Sequence, residues 1–208
     1  MKIYILTEGG AGIGFGHIAR CGAIYDAFKK RNIIPEIFIN GDYTIKSLIK
    51  GKKYRIFNWL QNQNRLFRTI KGADVVIIDS YLASSYLYKK ISTLTKIPVY
   101  IDDMNRIEYP KGVVINGSAY AEEIRYSNKK GIDYLLGTFY MPLQKPFWNV
   151  AQKKIQKDIK KILVIFGGNV LDRAVFNVLK VLVAEYPKLS KLIVMGKNIK
   201  NLIVYIYN

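Results

Sequence analysis

Short apolar runs alternate along this chain with longer stretches in which apolar residues recur at helical spacing, a pattern that predicts strands and helices in regular succession. Ile3, Tyr4, Ile5 and Leu6 define a first strand over residues 2–7. Ile18, Cys21, Tyr25 and Phe28 then fall on one face of a helix over 16–31. A second strand is expected over 33–39 in spite of Pro35, followed by a loop from Gly41-Asp42 and a short helix over 45–49. Residues 55–58 form a third strand and 60–70 a third helix. Val75-Val76-Ile77-Ile78 is almost continuously apolar, as expected of a parallel strand buried on both faces. A helix over 84–95 precedes strands at 99–101, 113–115 and 134–136. This rhythm predicts an α/β fold with a doubly wound parallel sheet and helices on both faces.

The pattern breaks between Tyr140 and Lys161, where Pro142, Pro146 and the polar run 152–160 read as a connection. The expected organisation is therefore an N-terminal α/β domain over 1–141, a linker over 142–160 and a partial second α/β domain over 161–208. The second unit repeats the order of the first: a strand at 162–166, a turn at Gly167-Gly168-Asn169, a helix over 171–185 and a strand over 191–195. Residues 201–207 read as one further strand. Its apolar, edge-like Leu202-Ile203-Val204-Tyr205-Ile206 suggests a homodimer or a separate polypeptide that completes the second domain.

Composition narrows the function classes. Half of the 208 residues are hydrophobic, which excludes a disordered chain. No apolar run approaches the roughly 18–20 residues needed to cross a bilayer. The start, Met1-Lys2-Ile3-Tyr4, enters a strand directly, without the features of a secretory signal. The single Cys21 allows no internal disulfide. Together these point to a cytoplasmic protein without membrane insertion. The formal charge of +18 raises the question of nucleic acid. However, Lys29-Lys30-Arg31, Lys52-Lys53, Lys89-Lys90, Lys129-Lys130, Lys153-Lys154 and Lys160-Lys161 are scattered over expected helix ends and loops. No basic tail or nucleic-acid motif accompanies them, so nucleic acid is not an expected partner.

The strongest chemical signal is Gly12-Ile13-Gly14-Phe15-Gly16-His17-Ile18-Ala19-Arg20, placed between the first strand and the first helix. Glycines let backbone N–H groups approach a ligand, and a helix start adds free donors and a positive dipole end, which suits a phosphate. His17 is the only histidine and a candidate general base. The dinucleotide fingerprint is excluded because His17 stands where its third glycine would be, and the nucleoside-triphosphate loop because no Gly-Lys-Ser/Thr closes the segment.

Other polar groups fall after predicted strands, at the carboxyl edge where such sheets bind ligands. They are Asp79-Ser80-Tyr81, Asp102-Asp103 and Asn116. Asp102-Asp103 suits sugar hydroxyls or simply starts a loop, and no third ligand at metal spacing follows it. Asp79 suits the site or caps the helix near Ser84. Asn116 binds sugar or turns the chain. Glu8 competes with His17 as a base.

These segments, with Leu136-Gly137-Thr138-Phe139-Tyr140, Phe147 and Phe166-Gly167-Gly168, resemble the UDP-sugar hydrolases of pseudaminic-acid synthesis. The related spore-coat polysaccharide proteins share the pattern. More remotely, the chain is similar to the UDP-GlcNAc transferase of peptidoglycan synthesis. The resemblance runs from Met1 to about Met195 and implies a glycosyltransferase-B-like fold, C-terminally shortened. It implies a hydrolase that frees a deoxy amino sugar from UDP without metal or cofactor. His17 would activate the water, with Tyr81 as its catalytic partner. Gly14, Phe15, Gly16, Arg20, Asp79, Asp103, Asn116, Tyr120, Gly167 and Gly168 would bind substrate. A glycosyltransferase of the same architecture, or a non-catalytic shortened relative, is the alternative.

Overall fold

A computed structural model describes residues 1–152, 154, 155, 157–165 and 172–194. The chain divides into two compact units, Met1–Val150 and Ala151–Asn208.

The first unit is built on seven strands: β1 (Ile3–Gly9), β2 (Glu36–Gly41), β3 (Tyr54–Ile56), β4 (Ala73–Asp79), β5 (Thr95–Ile101), β6 (Gly112–Asn116) and β7 (Ile132–Leu136). They form one sheet in the order β3-β2-β1-β4-β5-β6-β7, and every neighbouring pair is parallel. The helices are α1 (Gly16–Lys29), α2 (Gln63–Ile70) and α3 (Ser85–Leu94). The expected α/β class and parallel sheet are thus present. The strand order reverses between β1 and β4, the position at which open α/β sheets bind ligands.

Alternation along the strands builds two cores. Leu6, Phe38, Val76, Ile78 and Tyr100 face one side, where Leu66 and Ile70 of α2 and Leu87, Tyr88 and Ile91 of α3 cover them. Ile5, Ile37, Ile39 and Ile77 face the other side, against Ile18, Cys21 and Tyr25 of α1. Burying one such side chain is worth about 1.5–3 kcal/mol.

Element ends differ from expectation for identifiable reasons. β2 starts at Glu36 because Ile33 N–H still bonds to the carbonyl of Phe28 and closes α1, with Asn32 at a φ of 59°. The short helix expected at 45–49 is a 3-10 turn at Tyr43–Ile45, capped by Asp42, which accepts from Thr44 N–H. α2 begins at Gln63 because Asn58 folds the preceding residues into a turn, its side chain accepting from Gln61 N–H and its carbonyl from Asn62 N–H.

The second unit contains β8 (Lys161–Ile165), α4 (Asp172–Glu185) and β9 (Ser190–Val194), with β8 and β9 parallel. The turn at Gly167 and Gly168 and the strand expected over 201–207 lie outside the described residues.

Candidate active site

The glycine segment leaves β1 through a tight passage. A side chain at Gly41 would place its Cβ 1.8 Å from the carbonyl oxygen of Gly9, and one at Gly9 would meet Ile18 Cγ1 at 2.3 Å. Only glycine lets β1, β2 and α1 converge there. Gly10 and Gly14 then pair with each other, N–H to carbonyl in both directions, at 3.0 and 2.8 Å. Asp42, just past β2, accepts from Ala11 N–H at 3.0 Å and ties the loop to the sheet. In contrast, among the described residues a Cβ at Gly12, Gly14 or Gly16 would meet nothing within 4 Å beyond its own chain neighbours and helix backbone. α1 opens at Gly16 with no side-chain cap and no acidic residue in its first turn, so its leading N–H groups lack a side-chain acceptor. An anion fits such a start.

In the first turn of that helix the charged groups converge. His17 Nδ1 lies 2.7 Å from Oδ1 of Asp79 at the end of β4. Arg20, on the same helix face as His17, donates to both oxygens of Asp79, from Nε at 2.9 Å and Nη2 at 2.7 Å. It also donates to Asp103, from Nη1 at 2.7 Å and Nη2 at 3.1 Å. Tyr81 donates its hydroxyl to Asp103 and sets its ring edge-on to the imidazole, 4.6 Å between centroids. Cys21 Sγ, 3.5 Å from Asp79, adds a weak donor. The side chain of Asp79 is 1% exposed, that of His17 13% and that of Arg20 22%.

The electrostatics follow from this geometry. Burial pushes the Asp79 carboxyl up, but hydrogen bonds from His17 and Arg20 and the charge of Arg20 outweigh it and hold the group below its ordinary value. Burial likewise works against the Arg20 guanidinium, yet Asp79 and Asp103 hold it firmly charged. Burial and the bond to Asp103 push the Tyr81 phenol up to about 12. An ionised Asp79 only accepts, so the network assigns the hydrogen to Nδ1 of His17 and leaves Nε2 as the acceptor. Among the described residues Nε2 has no hydrogen-bond partner. A buried carboxylate that orients an imidazole in this way leaves Nε2 able to accept a proton.

The remaining predicted residues divide. Phe15 flanks the helix start and is partly exposed. Tyr120 approaches the centre, its hydroxyl 3.4 Å from the carbonyl of Asp103. A cavity of about 280 Å³ adjoins Arg20 and Asp103 and is lined in part by Gly117, Ser118 and Gln144. Asn116 is buried and engaged locally: its amide donates to Tyr126 and its oxygen accepts from Ser118 N–H, so it shapes the turn under the cavity. Gly167 and Gly168 lie outside the described residues.

Three polar residues hold the rim without entering it. Glu8, the competing base, is buried and accepts from Ser80 Oγ and from the N–H groups of Tyr81 and Leu82. Asp102 accepts from Asn105 N–H, Tyr109 and Tyr126, fixing the loop after β5. It is therefore the loop-forming member of the Asp102-Asp103 pair. Arg106 reaches back to the carbonyl of Ser80 at 3.1 Å and lies over the ring of Tyr88. An isolated acid after a strand is a visible sign in sequence, whereas nothing local marks Arg106.

Among the described residues no cluster of three or more His, Cys, Asp or Glu side chains could hold a metal, and no helix is long and apolar enough to cross a membrane.

The fold and site define a parallel α/β protein with a histidine–aspartate pair at its topological switch point. No family model matches the chain. It is 26% identical over 186 residues to the spore coat polysaccharide biosynthesis protein SpsG of Bacillus subtilis, an alignment covering 86% of this chain and 54% of SpsG. It is also 26% identical over 209 residues to an uncharacterized protein of Methanocaldococcus jannaschii, covering 94% of this chain and 43% of that protein. The relation to SpsG is distant, and the chain spans about half the length of the curated relatives it matches.

Proposed function

We propose that this chain belongs to a nucleotide-sugar hydrolase that releases a deoxy amino sugar from UDP in surface polysaccharide or glycan biosynthesis, on a glycosyltransferase-B-like architecture. The observation that carries the reading is the His17 ring, held through Nδ1 by buried Asp79 with Nε2 left to accept, one residue into a helix whose first N–H groups are uncapped. In this reading a water held within about 2.6–3.2 Å of Nε2 attacks the anomeric carbon. The water oxygen forms the new C–O bond, Nε2 takes a proton, and the bond from the anomeric carbon to the diphosphate oxygen breaks with inversion. The charge that develops on leaving UDP meets the uncapped N–H groups that open α1. Tyr81, Tyr120 and the cavity beside Asp103 form the sugar side of the site. Gly167 and Gly168 are further candidate diphosphate contacts. The name of SpsG, a spore coat polysaccharide biosynthesis protein, supports the polysaccharide context.

The test is incubation with UDP-linked deoxy amino sugars at high concentration, with and without an acceptor alcohol. Free sugar and UDP are expected with water alone, and His17→Gln is expected to lower that rate by about 10²–10⁴-fold. Product formed only with the acceptor present would favour a transferase, and equal rates for His17→Gln and the wild type would remove the proposed base. UDP binding by the chain on its own is expected to be weak, and calorimetry showing tight binding would overturn that expectation.

A further inference from the structure

Arg20 carries a charge that a diphosphate could use, but its donors are already committed. Nε and Nη2 grip Asp79, while Nη1 and Nη2 grip Asp103. A guanidinium has five N–H groups, so this double fork leaves one N–H of Nη1 for anything else. Arg20 also stands close to the ring, with Nη2 3.4 Å from His17 Nδ1. Both atoms carry hydrogen in the assigned network, so this is a close approach of two donors sharing Asp79 and not a bond between them.

We propose that Arg20 is a positioning residue: clamped between Asp79 and Asp103, it holds the Asp79 carboxylate on Nδ1 of His17, so that the ring hydrogen stays there and Nε2 stays bare. Among the described residues, the groups that face the imidazole are Arg20 from α1, Asp79 from the end of β4 and the edge of Tyr81 from the following loop. Asp103 stands behind Arg20 and Tyr81, and the Cys21 thiol stands behind Asp79. Among these Arg20 is the one cation. Without it, the Asp79 carboxylate loses two of its donors and is free to turn away from Nδ1. The bidentate geometry matters separately: a lysine supplies the charge but cannot span both carboxylates. Asp103 acts at one remove, fixing the far side of the guanidinium and the Tyr81 hydroxyl.

The use made of Nε2 rests on the hydrolase reading, but the test does not require turnover. The chain has a single histidine, so ¹⁵N-labelled imidazole reports one ring. The wild type is expected to show its neutral ring with hydrogen on Nδ1 and a bare Nε2. In Arg20→Gln the share of the neutral ring that carries its hydrogen on Nε2 is expected to rise tenfold or more. In Arg20→Lys it is expected to rise less, with a broadened Nδ1–H signal. An unchanged share in folded Arg20→Gln, or hydrogen on Nε2 in the wild-type neutral ring, overturns the proposal. If Arg20→Gln does not fold, Arg20→Gln combined with Asp103→Asn removes one charge of each sign and the same donors from Asp79, and is expected to show the same rise. An unchanged share there overturns the proposal equally. Absence of UDP-sugar hydrolysis with these signatures intact would sink the reaction and leave the role of Arg20 standing.

Discussion

Asp79 is out of reach of solvent and still charged, because both of its oxygens are filled by donors from α1. Truncating one partner of a buried pair leaves the other uncompensated. Asp79→Ala is therefore expected to lower stability by about 3 kcal/mol in urea unfolding, at the low end of such losses because Arg20 keeps Asp103. The pH dependence has a definite sign. The folded carboxyl ionises below its unfolded value of about 3.9, so its stabilisation is complete above that pH and is lost as pH falls through the folded value. Unfolding free energies measured from about pH 5 downward should decline more steeply in the wild type than in Asp79→Asn, and equal slopes would remove Asp79 as the source.

At this scale the sequence shows types and not partners. His17 stood out as the sole histidine in a glycine segment, and it lies at the strand edge where that segment led. Glu8 carried the same outward sign as Asp79, an acid at the end of an apolar strand. Only the fold reveals that the loop starting at Ser80 takes up its oxygens. Arg20 read as a substrate ligand from its place in the motif, yet two aspartates 59 and 83 residues away occupy it.

At the scale of elements, glycines that look alike in sequence do different work. Gly41 is required by the backbone of β1, since a Cβ would stand 1.8 Å from the Gly9 carbonyl oxygen. Gly16 begins α1 with open space around it. Gly41→Ala is expected to cost about 3 kcal/mol or to prevent folding. Gly16→Ala is expected to keep or raise stability by up to roughly 0.5–1 kcal/mol, because alanine suits a helix better. It should still weaken binding of a diphosphate ligand by occupying the approach to the first N–H groups. Thermal unfolding and calorimetry on the two variants separate these outcomes, and undiminished ligand binding by Gly16→Ala would place the anion elsewhere. Strand and helix identities were legible because period and composition agree in β1, α1, β4 and α3. Their ends were not, because Asn58, Asp42 and Asn32 set them through turns that apolar periodicity does not register.

Across the whole molecule, the parallel sheet brings the ends of β1, β4, β5 and β6 to one edge, so residues scattered from Gly10 to Asn116 lie along a single rim. The rhythm of the sequence predicted that edge. It did not supply the strand order, which depends on which face each crossover takes. The excess of positive charge forms no motif, and its pairs with Asp26, Glu36, Asp74 and Glu108 are dispersed over the first unit. Association with DNA or RNA is expected to be weak and to vanish at physiological salt, as a titration across ionic strength would show. The mutual pairing of Gly10 and Gly14, backed by Asp42, bears on kinetics. A lip stitched to the sheet at its root travels with the sheet, so under the proposed function an arriving phosphate would meet this rim already formed. Capture there would then be paced by diffusion and field.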